Sequence, residues 1–254
     1  MASLLAADAH RSQPPFLLVD LGTNAETVLC ANGMFYACSA AAGPCFEGAT
    51  LSCGMAGQDG AIDTVSPDPE RGLSFTTIGD APARGLCGSG VLDALALLLD
   101  AGLVDETGRL EADASPLGAR ITDDALAFTD SVRFTQKDIR EVQLAKAAVR
   151  AGIDILLREA GMETADVALY LAGGFGSAMR PESAARIGLI PEELSDRATV
   201  LGNAAGSGAL RYATEEGAAE SALGIIRRTR YIELSAHAGF TDAYVERMLF
   251  PERE

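Results

Sequence analysis

Four consecutive apolar residues, Phe16-Leu17-Leu18-Val19, run directly into Asp20-Leu21-Gly22-Thr23-Asn24. A short unbroken apolar run of this kind reads as a strand buried on both faces. Two further strand candidates follow at once, Glu26 to Cys30 and Met34 to Ser39, split by Ala31-Asn32-Gly33. Asn-Gly between apolar runs is a strong hairpin signal. The chain therefore opens on three consecutive antiparallel strands.

The remainder alternates helix and strand. Residues 42–62 are Gly-rich and read as loop with short ordered pieces, and Ser74 to Ile78 is a further strand candidate. Gly85 to Gly90 leads into a helix from Val91 to Ala101, with Val91, Leu92, Leu95, Leu98 and Leu99 at the helical period and Gly102 as its stop. Residues 104–134 read as an insertion with weak strand character. Thr135-Gln136-Lys137-Asp138 is a capping box with Asp in place of Glu. It starts a helix whose stripe is Ile139, Val142, Val149, Ile153 and Leu156, with Lys146, Arg150 and Arg158 largely away from it and Gly161 ending it. Val167 to Leu171 is a second buried strand that ends on Ala172-Gly173-Gly174-Phe175-Gly176. A helix, a strand at Thr199 to Leu201, a helix from Asn203 to about Glu216, and helices over 218–229 and 242–249 complete the chain. This is an α/β pattern with an antiparallel opening and a parallel continuation, the order expected of a ribonuclease-H-like domain: a mixed sheet with flanking helices. The expected division is a lead-in over 1–15, the domain over 16–230, and a strand and helix extension over 231–254.

Composition narrows the function. Of 254 residues, 48% are hydrophobic, which excludes a disordered chain. The formal net charge of −16 makes nucleic acid and anionic membrane poor partners. A phosphorylated ligand would have to be held by backbone amides, hydroxyls and a metal ion. The N-terminus has no basic segment of a signal peptide. The longest apolar stretch, Val91 to Leu99, is interrupted by Asp93 and is too short to span a bilayer, so a soluble, cytoplasmic protein is expected. Cys30, Cys38, Cys45, Cys53 and Cys87 contain no Cys-x-x-Cys, and His10 and His237 lie near opposite ends. Reduced, partly buried thiols are expected rather than a zinc site or a cluster.

Asp20-Leu21-Gly22-Thr23-Asn24 is a candidate phosphate cradle that needs no lysine. Gly22 is free to take φ > 0, successive amides form an anion-binding concavity, and Asp20 is placed to hold Mg²⁺. An ordinary hairpin with an Asx-type hydrogen bond is the plain alternative. Gly173 to Gly176 lies between strand and helix, where glycines permit close approach of a nucleotide and a helix N-terminus favours phosphate; a tight turn is the alternative. Gly85 to Gly90 and Gly202 to Gly208 are two more glycine-rich turns, the latter read chiefly as helix packing. Glu47, between Gly43 and Gly48 on a loop, is a metal-binding or a merely solvated carboxylate. There is no Gly-x-Gly-x-x-Gly, no P-loop, and no Gly-x-Ser-x-Gly around Ser89 or Ser207.

Taken together, these blocks resemble a known family. They are Asp20-Leu-Gly22-Thr23-Asn24-Ala-Glu26, Gly43-Pro-Cys-Phe46-Glu47-Gly48, Cys53-Gly54-Met55, Gly85-Leu-Cys87-Gly88-Ser89-Gly90-Val-Leu-Asp93, Gly173-Gly174-Phe175-Gly176 and Gly202-Asn203-Ala-Ala-Gly206. From about Phe16 to Arg230 the chain resembles the C-terminal ATPase domain of the reductive activators of corrinoid proteins. These are iron–sulfur proteins of the superfamily of actin, sugar kinases and heat-shock chaperones. The resemblance implies an actin-like ATPase domain that binds ATP or ADP with Mg²⁺ and couples it to reduction of cobalt(II) to cobalt(I) on a corrinoid protein of a methyltransferase system. It implies that Asp20 and Glu47 are catalytic, with Asp20 on the metal. It also implies that Gly22, Thr23, Asn24, Gly88, Ser89, Gly173, Gly174, Phe175 and Asn203 bind the nucleotide.

Three departures qualify the likeness. No ferredoxin-like block with clustered cysteines is present, so no cluster is expected in this chain; the family's 2Fe-2S centre lies in an upstream domain. A first Asp-x-Gly-Thr half is also absent, so weak nucleotide binding with little hydrolysis is expected. Ala25 stands where the family often has Gly, which stiffens the turn. A homodimer, or pairing with another domain through apolar faces near 91–101 and 218–229, is a further expectation. The competing functions are a small-molecule kinase of the same superfamily and a non-catalytic docking module.

Overall fold

The computed structural model describes residues 1–252 except 10, 12, 13 and 177. His10 lies outside the described residues. The order is α1 (Ala2–Ala6), β1 (Phe16–Leu21), β2 (Ala25–Ala31), β3 (Met34–Ala40), β4 (Ala61–Asp68), β5 (Gly72–Thr77), β6 (Gly85–Leu86) and α2 (Gly88–Asp100). Then come β7 (Ile121–Thr122), β8 (Ala125–Ala127), β9 (Arg133–Thr135), α3 (Gln136–Ala160), β10 (Ala168–Ala172), α4 (Gly173–Gly176) and α5 (Pro181–Arg186). The chain closes with β11 (Ala198–Gly202), α6 (Ala204–Thr214), α7 (Ala218–Arg227), β12 (Thr229–Tyr231) and α8 (Phe240–Glu246).

The main sheet has the order β11-β10-β1-β2-β3-β12. β1 pairs antiparallel with β2, Phe16 opposite Cys30, and parallel with β10, Phe16 opposite Ala168. Asn32 and Gly33, both at positive φ, close the β2–β3 hairpin. β1 has no polar alternation because both of its faces are covered. Leu17, Val19 and Leu21 enter the main core, whereas Phe16 and Leu18 pack with Leu4 and Leu5 of α1 and Ala222 and Ile225 of α7. Burying a side chain of this size contributes ~2 kcal/mol, so β1 anchors two cores at once.

α3 begins as its sequence predicts. The Thr135 Oγ1 accepts from the Asp138 amide at 3.2 Å, and the Asp138 carboxylate accepts from the Thr135 amide at 2.8 Å. Gly161 ends the helix in the left-handed region, at φ 63°. Lys146 corrects the expected pattern. It is 1% exposed, its Nζ donates to the Leu249 carbonyl, and it lies 4.8 Å from the Phe250 ring centroid. The C-terminal segment folds back over this face of α3, which α3's own periodicity does not reveal. Burial, reinforced by the charges of Arg150 and Arg247, pushes the Lys146 amine down to about 7.

Two other expectations are corrected. The helix expected at Val91 starts at Gly88, and Val91, Leu92, Leu95 and Leu98 are fully buried within the chain, so α2 offers no apolar face to a partner. The glycine-rich stretch ends in β4, whose alternation is broken at Asp63 and Thr64, where its pairing with β5 shifts register. β4 lies between β5 and β6 in a second, three-stranded sheet, and β7, β8 and β9 form a third within and just beyond 104–134. α7 does leave Leu223 and Ile226 about half exposed.

Candidate functional site

The parallel strands β1 and β10 end side by side, with Asp20 opposite Ala172. The next residue, Gly173, opens α4 at φ +93°, and a Cβ there would lie 2.3 Å from the Leu21 carbonyl oxygen and 2.9 Å from Asp20 Oδ1. Only glycine fits, both for its φ and for this approach. Asp20 is thus held against the glycine turn of the neighbouring strand. Its other oxygen, Oδ2, accepts from the Ser3 hydroxyl at 2.6 Å. Asp20 follows Phe16 and Leu18 on the α1 face of the sheet, so its carboxylate sits at the edge of the cleft described next and not among its lining residues.

That cleft, of about 510 Å³, opens where these strand ends meet the second sheet. Leu21 and Gly22 form one wall, and Gly174 and Phe175 a second. Phe46 and Glu47, on a one-turn 3-10 segment (Pro44–Glu47), close the third. Phe175 stacks on Phe46 with ring centroids 4.9 Å apart and planes 1° from parallel. Gly88 permits this stack: a Cβ there would stand 2.5 Å from the Phe175 ring and 2.3 Å from the Phe46 carbonyl oxygen. α2 begins at Gly88 with no side chain capping its N-terminus, and its first two residues, Gly88 and Ser89, line the cleft. Free amides and the positive end of a 13-residue helix make this wall attractive to an anion. Met55 and Ile78 supply apolar surface elsewhere in the cleft.

The predicted site residues divide into three groups. Gly22, Glu47, Gly88, Ser89, Gly174 and Phe175 share the cleft. Asp20 and Gly173 touch each other at its edge, while Thr23 and Asn24 form the adjoining turn, where the Thr23 hydroxyl donates to Glu47 Oε2 at 2.6 Å and the Asn24 carbonyl accepts from the Gly22 amide at 3.1 Å. Asn203 is not in the cleft lining; its side chain caps α6, Oδ1 accepting from the Gly206 amide at 2.8 Å. Gly22 corrects its sequence rationale. Its φ is not positive, and a Cβ would meet only the Asn24 oxygen at 3.5 Å, so neither strain nor space demands glycine there.

Sequence reasoning missed Asp63 and Thr64 of β4, which line the cleft; Asp63 accepts from the Thr76 hydroxyl at 2.7 Å. The only signal for them was the strand itself, hidden by its polar residues. All five cysteines are free thiols. Burial pushes Cys38 and Cys45 up to about 12, Glu141 adding to the effect at Cys45, so neither is a nucleophile at neutral pH. Among the described residues no group of three or more His, Cys, Asp or Glu is placed to hold a metal ion, and no helix is long and apolar enough to cross a membrane.

A mixed sheet of this order, with a glycine-turned cleft at its strand ends and an uncapped helix N-terminus in the cleft wall, defines an ATPase-type domain of the actin, sugar kinase and heat-shock chaperone class. Residues 15–254 match the family model described as the C-terminal domain of RACo, the ASKHA domain, and the chain belongs to that family. Membership implies nucleotide binding. The chain is 33% identical over 252 residues to "Corrinoid activation enzyme RamQ" of Eubacterium limosum, the match covering 92% of this chain and 42% of that protein. It is 30% identical over 214 residues to the "[Co(II) methylated amine-specific corrinoid protein] reductase" of Methanosarcina barkeri, covering 75% of this chain and 37% of the reductase. A solved "Reductive activator for corrinoid,iron-sulfur protein" superposes on all of this chain with a TM-score of 0.87 and 31% identity, over 42% of its own length. The chain thus spans about two-fifths of the length of the proteins it matches.

Proposed function

We propose that this chain is the ATP-binding C-terminal part of a reductive activator that returns a cobalt(II) corrinoid protein to cobalt(I). The observation that carries the nucleotide reading is the meeting of Asp20, Leu21 and Gly173 at the mouth of a cleft walled by the N-terminus of α2. The resemblance to activators supports a corrinoid protein as partner, which in this reading serves a methyltransferase system. In this reading an electron-carrying 2Fe-2S centre lies in a separate domain.

Each wall has a task in this reading. The first-turn amides of α2 and the Ser89 hydroxyl hold phosphate oxygens, as do the amides of Thr23 and Asn24. Phe175, Met55 and Ile78 exclude water from the less polar part of the nucleotide. A Mg²⁺ ion bound with the phosphates would neutralise their charge, which matters in a chain that itself carries −16. Asp20, at the edge of the cleft, and Glu47, in its lining, are the carboxylates that would hold the ion. Glu47, fixed by Thr23, orients water toward the terminal phosphate. Among the described residues no lysine or arginine lines the cleft, so hydrogen bonds from one glycine turn and one helix carry the binding, each with a modest net contribution.

Isothermal titration of the chain with Mg-ATP and Mg-ADP tests this. The expected outcome is a dissociation constant on the order of 100 µM, equivalent to about −5.5 kcal/mol, abolished by Gly174→Val and weakened by Asp20→Asn. Absence of heat with both nucleotides, or affinity unchanged in both variants, overturns the nucleotide reading. The half-exposed Leu223 and Ile226 on α7 favour a second element of the same reading, association of this chain with a copy of itself or with the rest of an activator.

A further inference from the structure

Behind the cleft, one carboxylate joins three of its walls. Asp93 lies one helical turn after Ser89 on α2 and is 2% exposed. Its Oδ2 accepts from the Val65 amide at 3.1 Å, and Val65 follows the cleft residues Asp63 and Thr64. Its two oxygens accept a fork from Arg180, Nε at 2.9 Å and Nη2 at 2.7 Å, and Arg180 stands two residues after the cleft residue Ala178. Oδ1 also accepts from the Ser183 hydroxyl at 2.6 Å, while Arg180 Nη2 returns to the Val65 carbonyl at 2.8 Å. A carboxylate with four donors is saturated and carries no ligand of its own. The same bonds fix α2, β4 and the segment after α4 to a single point.

We propose that Asp93, with Arg180, is the positioning residue of the cleft, setting the spacing between the Gly88–Ser89 wall, the Asp63–Thr64 wall and the Phe175–Ala178 wall. The assignment of nucleotide as the ligand rests on the proposed function; the mechanical coupling does not. The pair is a poor device for stability alone, since taking the Asp93 carboxylate out of water offsets much of its attraction to a half-exposed guanidinium. What it supplies here is direction. The fork fixes the angle of Arg180 as well as its distance, and a hydrophobic replacement of equal volume would not. The pair is also reachable from behind. The Arg180 side chain is 48% exposed and lines a second cavity of about 540 Å³ with Val65, Leu97, Ser183 and Arg186.

The test uses Arg180→Ala and Arg180→Lys, with Asp93→Asn as the third variant. Amide hydrogen exchange is followed in the free chain. Exchange over 63–65, 87–90 and 174–178 is expected to accelerate together, about tenfold, in Arg180→Ala, and less in Arg180→Lys, with α3 unchanged. Added ethylguanidinium, entering the rear cavity, is expected to restore protection in Arg180→Ala and not in Asp93→Asn. Acceleration confined to 179–186, or spread evenly over the molecule without rescue, overturns the proposal. In parallel, Mg-ADP affinity is expected to fall about tenfold in Arg180→Ala and to recover with ethylguanidinium. Affinity equal to that of the unmodified chain would overturn the positioning role. An unmodified chain that binds no nucleotide sinks the nucleotide reading instead, and the exchange measurement then decides the coupling by itself.

Discussion

Two glycines of the same site illustrate how much depends on one atom. Gly173 is at φ +93°, with the Leu21 oxygen 2.3 Å from where a Cβ would be. Gly173→Ala is expected to cost at least ~2 kcal/mol in urea unfolding, from backbone strain and displacement of Leu21 and Asp20, and to abolish nucleotide heat. Gly22→Ala, with ordinary φ and 3.5 Å of clearance, is expected to change stability by less than ~1 kcal/mol. Lys146 gives a residue-scale test of a different kind. Its amine titrates near 7 in the folded chain, against an ordinary value of 10.5. Below both values the proton is bound in both states and stability does not respond. Between them the unfolded chain holds a proton that the folded chain has released, so stability rises with pH. Relative to Lys146→Met, the unmodified chain is expected to gain ~2 kcal/mol from pH 7 to pH 9. Parallel pH profiles for the two proteins would refute the burial of the amine.

At the scale of elements, the capping box of α3 does more than begin a helix. Asp138 is 1% exposed, and the oxygen not used in the box accepts from the Ser52 amide at 2.7 Å and the Ser52 hydroxyl at 3.0 Å. It thereby ties α3 to the loop that carries Met55 into the cleft. Thr135→Ala is expected to cost ~1 kcal/mol, the ordinary loss of a cap. Asp138→Ala should cost more, about 2–3 kcal/mol, because buried donors are left without an acceptor, and it should also raise amide exchange over residues 51–56. Equal losses in the two variants would show that the Ser52 bonds contribute nothing. The capping motif was legible in four residues, whereas the tie to Ser52, 86 positions away, was not.

For the molecule as a whole, the distribution of apolar surface sets the expectation. α2, Leu-rich and expected to face a partner, is enclosed by its own chain, while α7 leaves Leu223 and Ile226 at 52% and 54% exposure. Leu223→Glu with Ile226→Glu is therefore expected to leave the unfolding midpoint within ~1 kcal/mol of the unmodified chain while abolishing any self-association seen by light scattering. A chain that is monomeric at high concentration before substitution would count against association through α7.

The sequence by itself determined the elements whose signals are local. Phe16–Val19, the Asn32-Gly33 turn and the Thr135–Asp138 box each state their structure within a few residues, because strand burial, left-handed turns and helix caps are short-range effects. The glycine turns at 173 and 88 were legible as features, but not the reasons for them. Those reasons are the Leu21 carbonyl and the Phe46–Phe175 stack, and each comes from a different part of the chain. Tertiary structure alone decided that Asp20 turns to Ser3 at the edge of the cleft, that Asn203 serves α6, that β4 brings Asp63 and Thr64 into the site, and that Lys146 lies under the C-terminal segment. Periodicity reports which face of an element is apolar; it carries no information about which distant segment will cover that face or meet its polar groups.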